Sequence, residues 1–117
     1  MSEELIIDWS SALEAVGDDR EFLSEVLTDL MMEATTTITE ITNAIATKDF
    51  DAVMRSAHRL KGSASYLHCN AVKESAFKLQ KMGQSGKTET DLEAIKVEFQ
   101  NLSRFIEATE LERQNMP

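Results

Sequence analysis

The chain has 117 residues, which suits one compact domain, and its hydrophobic fraction of 42% supplies a core and argues against general disorder. Its 12 basic and 21 acidic residues leave a net charge of −9, which disfavours nucleic acid and anionic membranes as partners. The one cysteine, Cys69, excludes an internal disulfide framework and a multi-cysteine metal site, and it fits a reducing compartment.

The N-terminus and the apolar runs indicate where the protein is found. The first eight residues, MSEELIID, contain acidic side chains and no basic region, unlike a secretory signal peptide. No apolar run approaches the ~20 residues that cross a bilayer. We therefore expect a soluble, cytoplasmic protein, and we separately expect it to be a monomer. We expect a single domain over residues 1–117, with its core at about residues 8–109 and a polar C-terminal tail that frays from about Glu110.

The first two predicted helices begin after aspartates. A short helix is predicted from about Trp9 to Val16, with Asp8 as its N-cap and Gly17 as its stop. A longer helix follows Asp19, and its apolar residues recur at steps of one, three and four, which is typical of one helix face. Those residues are Phe22, Leu23, Val26, Leu27, Leu30, Met31, Ala34, Ile38, Ile41, Ala44 and Ile45. Three threonines at 35–37 are weak helix formers, so a bend or break can occur there.

Three more helices are predicted in the second half of the chain. The third begins near Asp49 or Phe50, the fourth runs from about Asn70 to Gly83, and the last follows a loop at 83–88. No segment alternates apolar and polar residues with period two, so no strand is predicted. The pattern predicts an all-α protein, an antiparallel four-helix bundle with a short additional N-terminal helix.

One segment of the third helix combines unusual residues. Gly62 lies inside the helix, where it costs ~1 kcal/mol relative to alanine. His58, Lys61, Gly62 and Ser65 lie together outside the core stripe. An imidazole is a nucleophile near neutral pH, and Lys61, one turn away, could offset the charge of a phosphoryl group on it. An ordinary solvated helix surface contains the same residue types, so position alone leaves both interpretations open.

Residues 57–67, AHRLKGSASYL, resemble the signature of histidine-containing phosphotransfer (HPt) domains: alanine, histidine, any residue, leucine, lysine, glycine and serine. The resemblance extends upstream to residues 8–23 and downstream to residues 79–83, in the family's order and spacing. It implies a phosphorelay intermediate built as a four-helix bundle.

The resemblance also implies roles for individual residues. His58 corresponds to the phosphoacceptor, and Lys61 to the lysine that steadies the phosphoryl group. Gly62 corresponds to the small residue that lets a receiver domain approach, and Ser65 lies on the same docking face. Gln80 lies where some members place a glutamine that orients the imidazole from the next helix.

Two residues at the end of the third helix need separate interpretations. His68 stands where the family usually has glycine, so the chain departs from the family pattern at the end of the third helix. We interpret His68 as a C-terminal histidine that interacts with the last carbonyls, and not as a second phosphoacceptor or metal ligand. Cys69 is interpreted as a small buried hydrophobe. No metal or other cofactor is expected in this chain, and Mg²⁺ is expected in the partner receiver domain.

The leading hypothesis is a phosphotransfer protein of a multistep two-component phosphorelay, with His58 carrying the phosphoryl group between aspartates of response-regulator receiver domains. A hybrid sensor histidine kinase is a further candidate partner. Residues 83–88 match only part of a P-loop, because the pattern needs glycine at the position of Lys81 and a preceding strand, so no kinase activity or nucleotide site is predicted. The alternative is a structural or scaffolding bundle without covalent chemistry. A third interpretation is an HPt-like antagonist that binds receivers without transfer, but such proteins typically lack the histidine.

Overall fold

A computed structural model of the protein describes residues 5–117, so the first four residues of the acidic N-terminus lie outside the described part. It confirms the all-α prediction, with five helices and no strand in those residues. The helices are α1 (Trp9–Ala15), α2 (Arg20–Ala46), α3 (Phe50–Tyr66), α4 (Asn70–Ser85) and α5 (Glu89–Gln114). The four long helices contact one another in cyclic order, α2 with α3, α3 with α4, α4 with α5 and α5 with α2, while α1 packs against α2.

Side-chain caps begin four of the five helices. The carboxylates of Asp8, Asp19 and Asp49 each accept a hydrogen bond from the backbone N–H three residues later, at 3.0–3.2 Å. At the start of α5, Thr88 and Asp91 form a reciprocal capping box. The predicted N-cap at Asp8 is confirmed, and Gly17 ends α1 with a φ of +70°, a conformation that glycine adopts without steric cost.

The apolar stripes of the helices meet in one core. The fully buried large side chains are Ile7, Leu23, Leu27, Ile41, Leu60, Leu79, Ile95, Leu102, Val53 and Val72. All except Ile7 belong to the long helices, and the core therefore begins one residue before the predicted start at about residue 8. Phe22 departs from the predicted stripe of α2, because its side chain is 44% exposed.

Helix α2 continues without interruption through its three threonines, so the break that the sequence allows there does not occur. The hydroxyls of Thr35 and Thr36 donate to the carbonyls of Met31 and Met32, four residues earlier, at 3.0 and 3.3 Å. This back-bonding satisfies the hydroxyls within the helix, and Thr37 is buried. Packing against the rest of the bundle overrides the weak helix propensity of threonine.

Helix α4 does not end at Gly83, as the sequence predicts, but continues to Ser85. A Cβ atom at Gly83 would lie 2.7 Å from the backbone nitrogen of Met54 and 2.8 Å from the carbonyl oxygen of Phe50. The glycine is therefore a point of close backbone approach between α4 and α3, and not a helix stop. This contact fixes the position of α4 along the axis of α3.

The end of α5 also differs from the prediction. The chain remains helical to Gln114, where a fraying tail was expected from Glu110. Arg113 forms an ion pair with Glu110 and donates to the hydroxyl of Thr28 on α2 at 3.4 Å, and Thr109 is buried. These contacts attach the polar last turns to the rest of the molecule.

We expect Gly83→Ala to destabilise the protein by about 1–3 kcal/mol, because the new methyl group must displace backbone atoms of α3. Chemical denaturation measures the change. Gly62→Ala is the matched control, since a Cβ at Gly62 meets nothing within 4 Å. Equal stabilities for the two variants would show that α3 and α4 do not meet at Gly83.

Candidate functional site

The motif helix α3 has a buried and an open side, as its periodicity predicts. Ala57, Leu60 and Ala64 are fully buried in the core. On the other side His58, Gly62 and Ser65 are exposed and Lys61 is half-buried. Four of the five predicted site residues therefore share one accessible face of a single helix, because their spacing follows the helical repeat.

The fifth residue, Gln80, reaches this face from α4. Its Oε1 lies 3.2 Å from Nδ1 of His58. An amide oxygen only accepts, so in this contact Nδ1 carries the hydrogen and donates it. The neutral imidazole then keeps its lone pair on Nε2, which makes Nε2 the nucleophilic nitrogen of an exposed ring.

Lys61 is held by an aromatic ring that the sequence analysis did not single out. Its Nζ lies 5.3 Å from the centroid of the Phe77 ring, and Nζ of Lys81 lies 4.5 Å from the same centroid. Both distances are within the range of cation–π attraction. Phe77 is 42% exposed and lies outside the apolar stripe that the helical repeat predicts for α4, which is Val72, Ala76, Leu79 and Met82. That off-stripe aromatic residue, three positions before Gln80, was the available signal.

Gly62 has no side chain that projects from the surface beside His58. A Cβ there would meet no heavy atom within 4 Å, so the glycine is not required by packing inside the protein. Ser65, one turn further along, borders a depression of about 220 Å³ that Lys61, Lys73, Glu74 and Phe77 also line. The open surface around His58 thus extends toward α4.

On the side of α3 that faces α2, polar residues of α3 contact two glutamates of α2. Glu40 accepts a hydrogen bond from Ser56 Oγ at 3.0 Å and pairs with Arg59. Glu33 accepts from Ser63 Oγ at 3.0 Å. A groove of about 710 Å³, lined in part by Glu40 and Arg59, opens beside His58. The sequence analysis missed both glutamates, since the pattern of α2 does not reveal which turns of α3 they meet.

Charge is distributed unevenly along the chain. Residues 55–87, which include most of α3 and all of α4, contain seven of the 12 basic residues and one of the 21 acidic residues, Glu74. The acidic protein therefore has a basic segment at the candidate site. Clustered cations of this kind attract an anionic partner or group more than the net charge suggests.

His68 and Cys69 lie apart from this site. His68 has a φ of +54°, in the left-handed region, which explains why the resembling family usually has glycine here. Its backbone N–H donates to Ser65 O at 3.2 Å, and its carbonyl accepts from the N–H of Asp8 at 3.0 Å. Cys69 is fully buried, as predicted, and burial raises the pKa of its thiol to about 12. Across residues 5–117 no group of three or more His, Cys, Asp or Glu is placed to hold a metal ion.

The family model for the Hpt domain matches residues 25–112 of the chain. The protein belongs to the HPt domain family. HPt domains are phosphotransfer modules of two-component phosphorelays and not kinases, and phosphorelay phosphotransfer is the role of this chain. They interact with receiver domains.

A solved structure has the same fold. The HPt domain from an Hpt sensor hybrid histidine kinase of Shewanella superposes with a TM-score of 0.74 over 95% of this chain and 96% of its own, at 17% sequence identity. No significant match to a curated protein is found. In the described part of the chain, none of the helices is both long and apolar enough to cross a membrane.

Proposed function

We propose that His58 is the phosphoacceptor of this HPt domain, taking a phosphoryl group from the aspartyl phosphate of one receiver domain and passing it to the aspartate of a second. The contact between His58 Nδ1 and Gln80 Oε1 at 3.2 Å carries the proposal, because it directs the lone pair to Nε2 of an exposed ring. A histidine on an ordinary helix surface does not require such a partner.

Transfer of the phosphoryl group to His58 does not require the imidazole ring to lose a proton. Nε2 of His58 attacks the phosphorus atom, the N–P bond forms, and the P–O bond to the donor aspartate breaks with its electron pair on the carboxylate. The Nδ1 hydrogen stays in place and donates to Gln80, which stabilises the positive charge that the ring acquires. Attack by the second receiver's aspartate on phosphorus reverses these steps.

The neighbouring residues support the phosphoryl group and the docking of the receiver. Lys61, one helical turn from His58, offsets the charge of the phosphoryl oxygens as a point charge. Gly62 and Ser65 are exposed on the same face, and neither side chain obstructs a second protein. Mg²⁺ belongs to the partner receiver domain in this proposal.

We infer further that the four long helices form an antiparallel bundle. Between α2 and α3, Glu33 contacts Ser63 and Glu40 contacts Ser56, so residue numbers rise along one helix as they fall along the other. The contacts between α3 and α4 follow the same rule. An antiparallel arrangement places the open face of α3 beside α4, where Gln80 reaches it. We place this protein in the cytoplasm as a monomer over residues 1–117, with receiver domains and a hybrid sensor histidine kinase as partners.

The deciding experiment incubates the protein with a panel of phosphorylated receiver domains and follows transfer of labelled phosphate to histidine. We expect label on His58 from at least one receiver and its passage to a second. A scaffold without covalent chemistry gives no label from any receiver or from a small-molecule phosphodonor such as phosphoramidate, and that result would contradict the proposal.

Lys61→Ala is expected to slow transfer or shorten the lifetime of phosphohistidine, because it removes the ammonium group that offsets phosphoryl charge. The free energy of unfolding should change by less than ~0.5 kcal/mol, as for other surface substitutions. Rapid-quench transfer assays and thermal unfolding measure the two effects. Lys96→Ala, a change on α5 outside the motif helix, is the matched control. An unchanged transfer rate and lifetime for Lys61→Ala would show that Lys61 is only a solvated charge.

A further inference from the structure

Two side-chain contacts join α3 and α4 across the site. His58 meets Gln80, and Lys61, three residues later, meets Phe77, three residues earlier. The imidazole and the ammonium group are therefore each supported by the same stretch of α4. The support for the imidazole is a hydrogen bond and the support for the ammonium group is the face of an aromatic ring.

We propose that Phe77 is a positioning residue that holds the Lys61 ammonium group beside His58, where it can meet the phosphoryl group. The proposal rests on the proposed function of His58 and Lys61. Phe77 does not touch the reacting atoms in this scheme, and its contribution passes entirely through Lys61.

The need for such a residue follows from the flexibility of lysine. A solvated lysine side chain samples many rotamers, and fixing it costs conformational entropy. Within residues 5–117, Lys61 has no carboxylate within ion-pair distance, so the ring at 5.3 Å is the contact that restricts it.

The charges around Phe77 make its loss more damaging. Glu74 lines the same depression as Lys61 and Phe77, and it is the one acidic residue of the segment 55–87. Without the ring, Lys61 is free to turn toward Glu74 and away from His58. Nζ of Lys81 lies 4.5 Å from the centroid of the same ring, so a second cation shares this contact.

The test measures the lifetime of phosphohistidine in the full chain, without a receiver domain. The protein is phosphorylated with phosphoramidate, the donor is removed, and the decay of the N–P bond is followed. We expect Phe77→Leu to raise the decay rate about two- to fivefold, toward the rate of Lys61→Ala. A change of that size corresponds to the free energy of an exposed cation–π contact. Phe77→Tyr keeps the ring and should restore the wild-type rate.

A double-mutant cycle separates positioning from a general structural effect. In the Lys61→Ala background, Phe77→Leu should have no further effect, because the group it positions is gone. Glu74→Gln should partly rescue Phe77→Leu by removing the competing carboxylate. Phe22→Leu is the matched control, since Phe22 is 44% exposed and lies on α2, and it should leave the decay rate unchanged. If Phe77→Leu fails to fold, Phe77→Met takes its place in the same cycle.

A wild-type decay rate in Phe77→Leu would overturn the inference, as would an effect of equal size in the Lys61→Ala background. Either result leaves the proposed function intact if wild-type protein is labelled on His58. Failure of the proposed function is a different outcome, in which His58 takes no label at all.

Discussion

His58→Gln is expected to abolish phosphorylation completely while leaving the fold unchanged. Glutamine has no nucleophilic lone pair that can form an N–P bond, so neither a receiver domain nor phosphoramidate should label the variant. His58 is exposed, and its neighbours Ala57 and Leu60 supply the packing on the other side of α3. The free energy of unfolding should therefore stay within ~0.5 kcal/mol of wild type.

The other histidine of the chain is the matched control. His68 has a left-handed backbone conformation that asparagine tolerates, so His68→Asn should fold and should be labelled as wild type is. Label that persists on folded His58→Gln and disappears from His68→Asn would move the phosphoacceptor to His68. Unfolding of His58→Gln would instead contradict the placement of His58 outside the core.

Gly62→Gln should have effects of opposite sign on stability and on transfer. The new side chain extends into open space, since even its Cβ meets nothing within 4 Å, and a helix-interior glycine is removed, so stability should rise by up to ~1 kcal/mol. The same side chain projects from the face that carries His58 and obstructs a docking receiver. Because small misplacements of reacting atoms are costly, we expect receiver-dependent transfer to fall by about ten- to a hundredfold.

Two comparisons isolate the cause of that loss. Phosphoramidate is compact, so its reaction with Gly62→Gln should be affected much less than transfer from a receiver. Gly62→Ala removes the same glycine but adds only a methyl group, and it should keep both the added stability and most of the receiver-dependent transfer. Normal transfer from a receiver to folded Gly62→Gln would mean that receivers dock on another face, and the site geometry would have to be abandoned.

The open face of the motif helix was predictable because it depends on local geometry alone. His58, Lys61, Gly62 and Ser65 lie within eight residues of one helix, and the helical repeat brings them to the same side whatever the rest of the chain does. The apolar residues between them identify the opposite side as the core. Resemblance to the HPt family then supplied the chemistry that the residue types alone left open.

The helix ends were less predictable, because the same residue types serve different purposes. Gly17 ends a helix, while Gly83 lies inside one and allows two helices to approach. The polar residues after Glu110 suggested a frayed tail, but Arg113 finds partners on its own helix and on α2. At Gly83 and at Arg113 a contact with another helix joins residues far apart in sequence, and no local pattern encodes it.

The sequence by itself determined an all-α protein and the open face of α3 that carries His58, because both follow from periodicity and short-range spacing. Only the tertiary structure decided what surrounds His58. The position of α4 along the axis of α3 is fixed where Gly83 meets Met54. That position brings Gln80 to His58 and Phe77 to Lys61. A shift of one helical turn would exchange these partners for others, and relative height between packed helices depends on the fit of side chains across their whole interface.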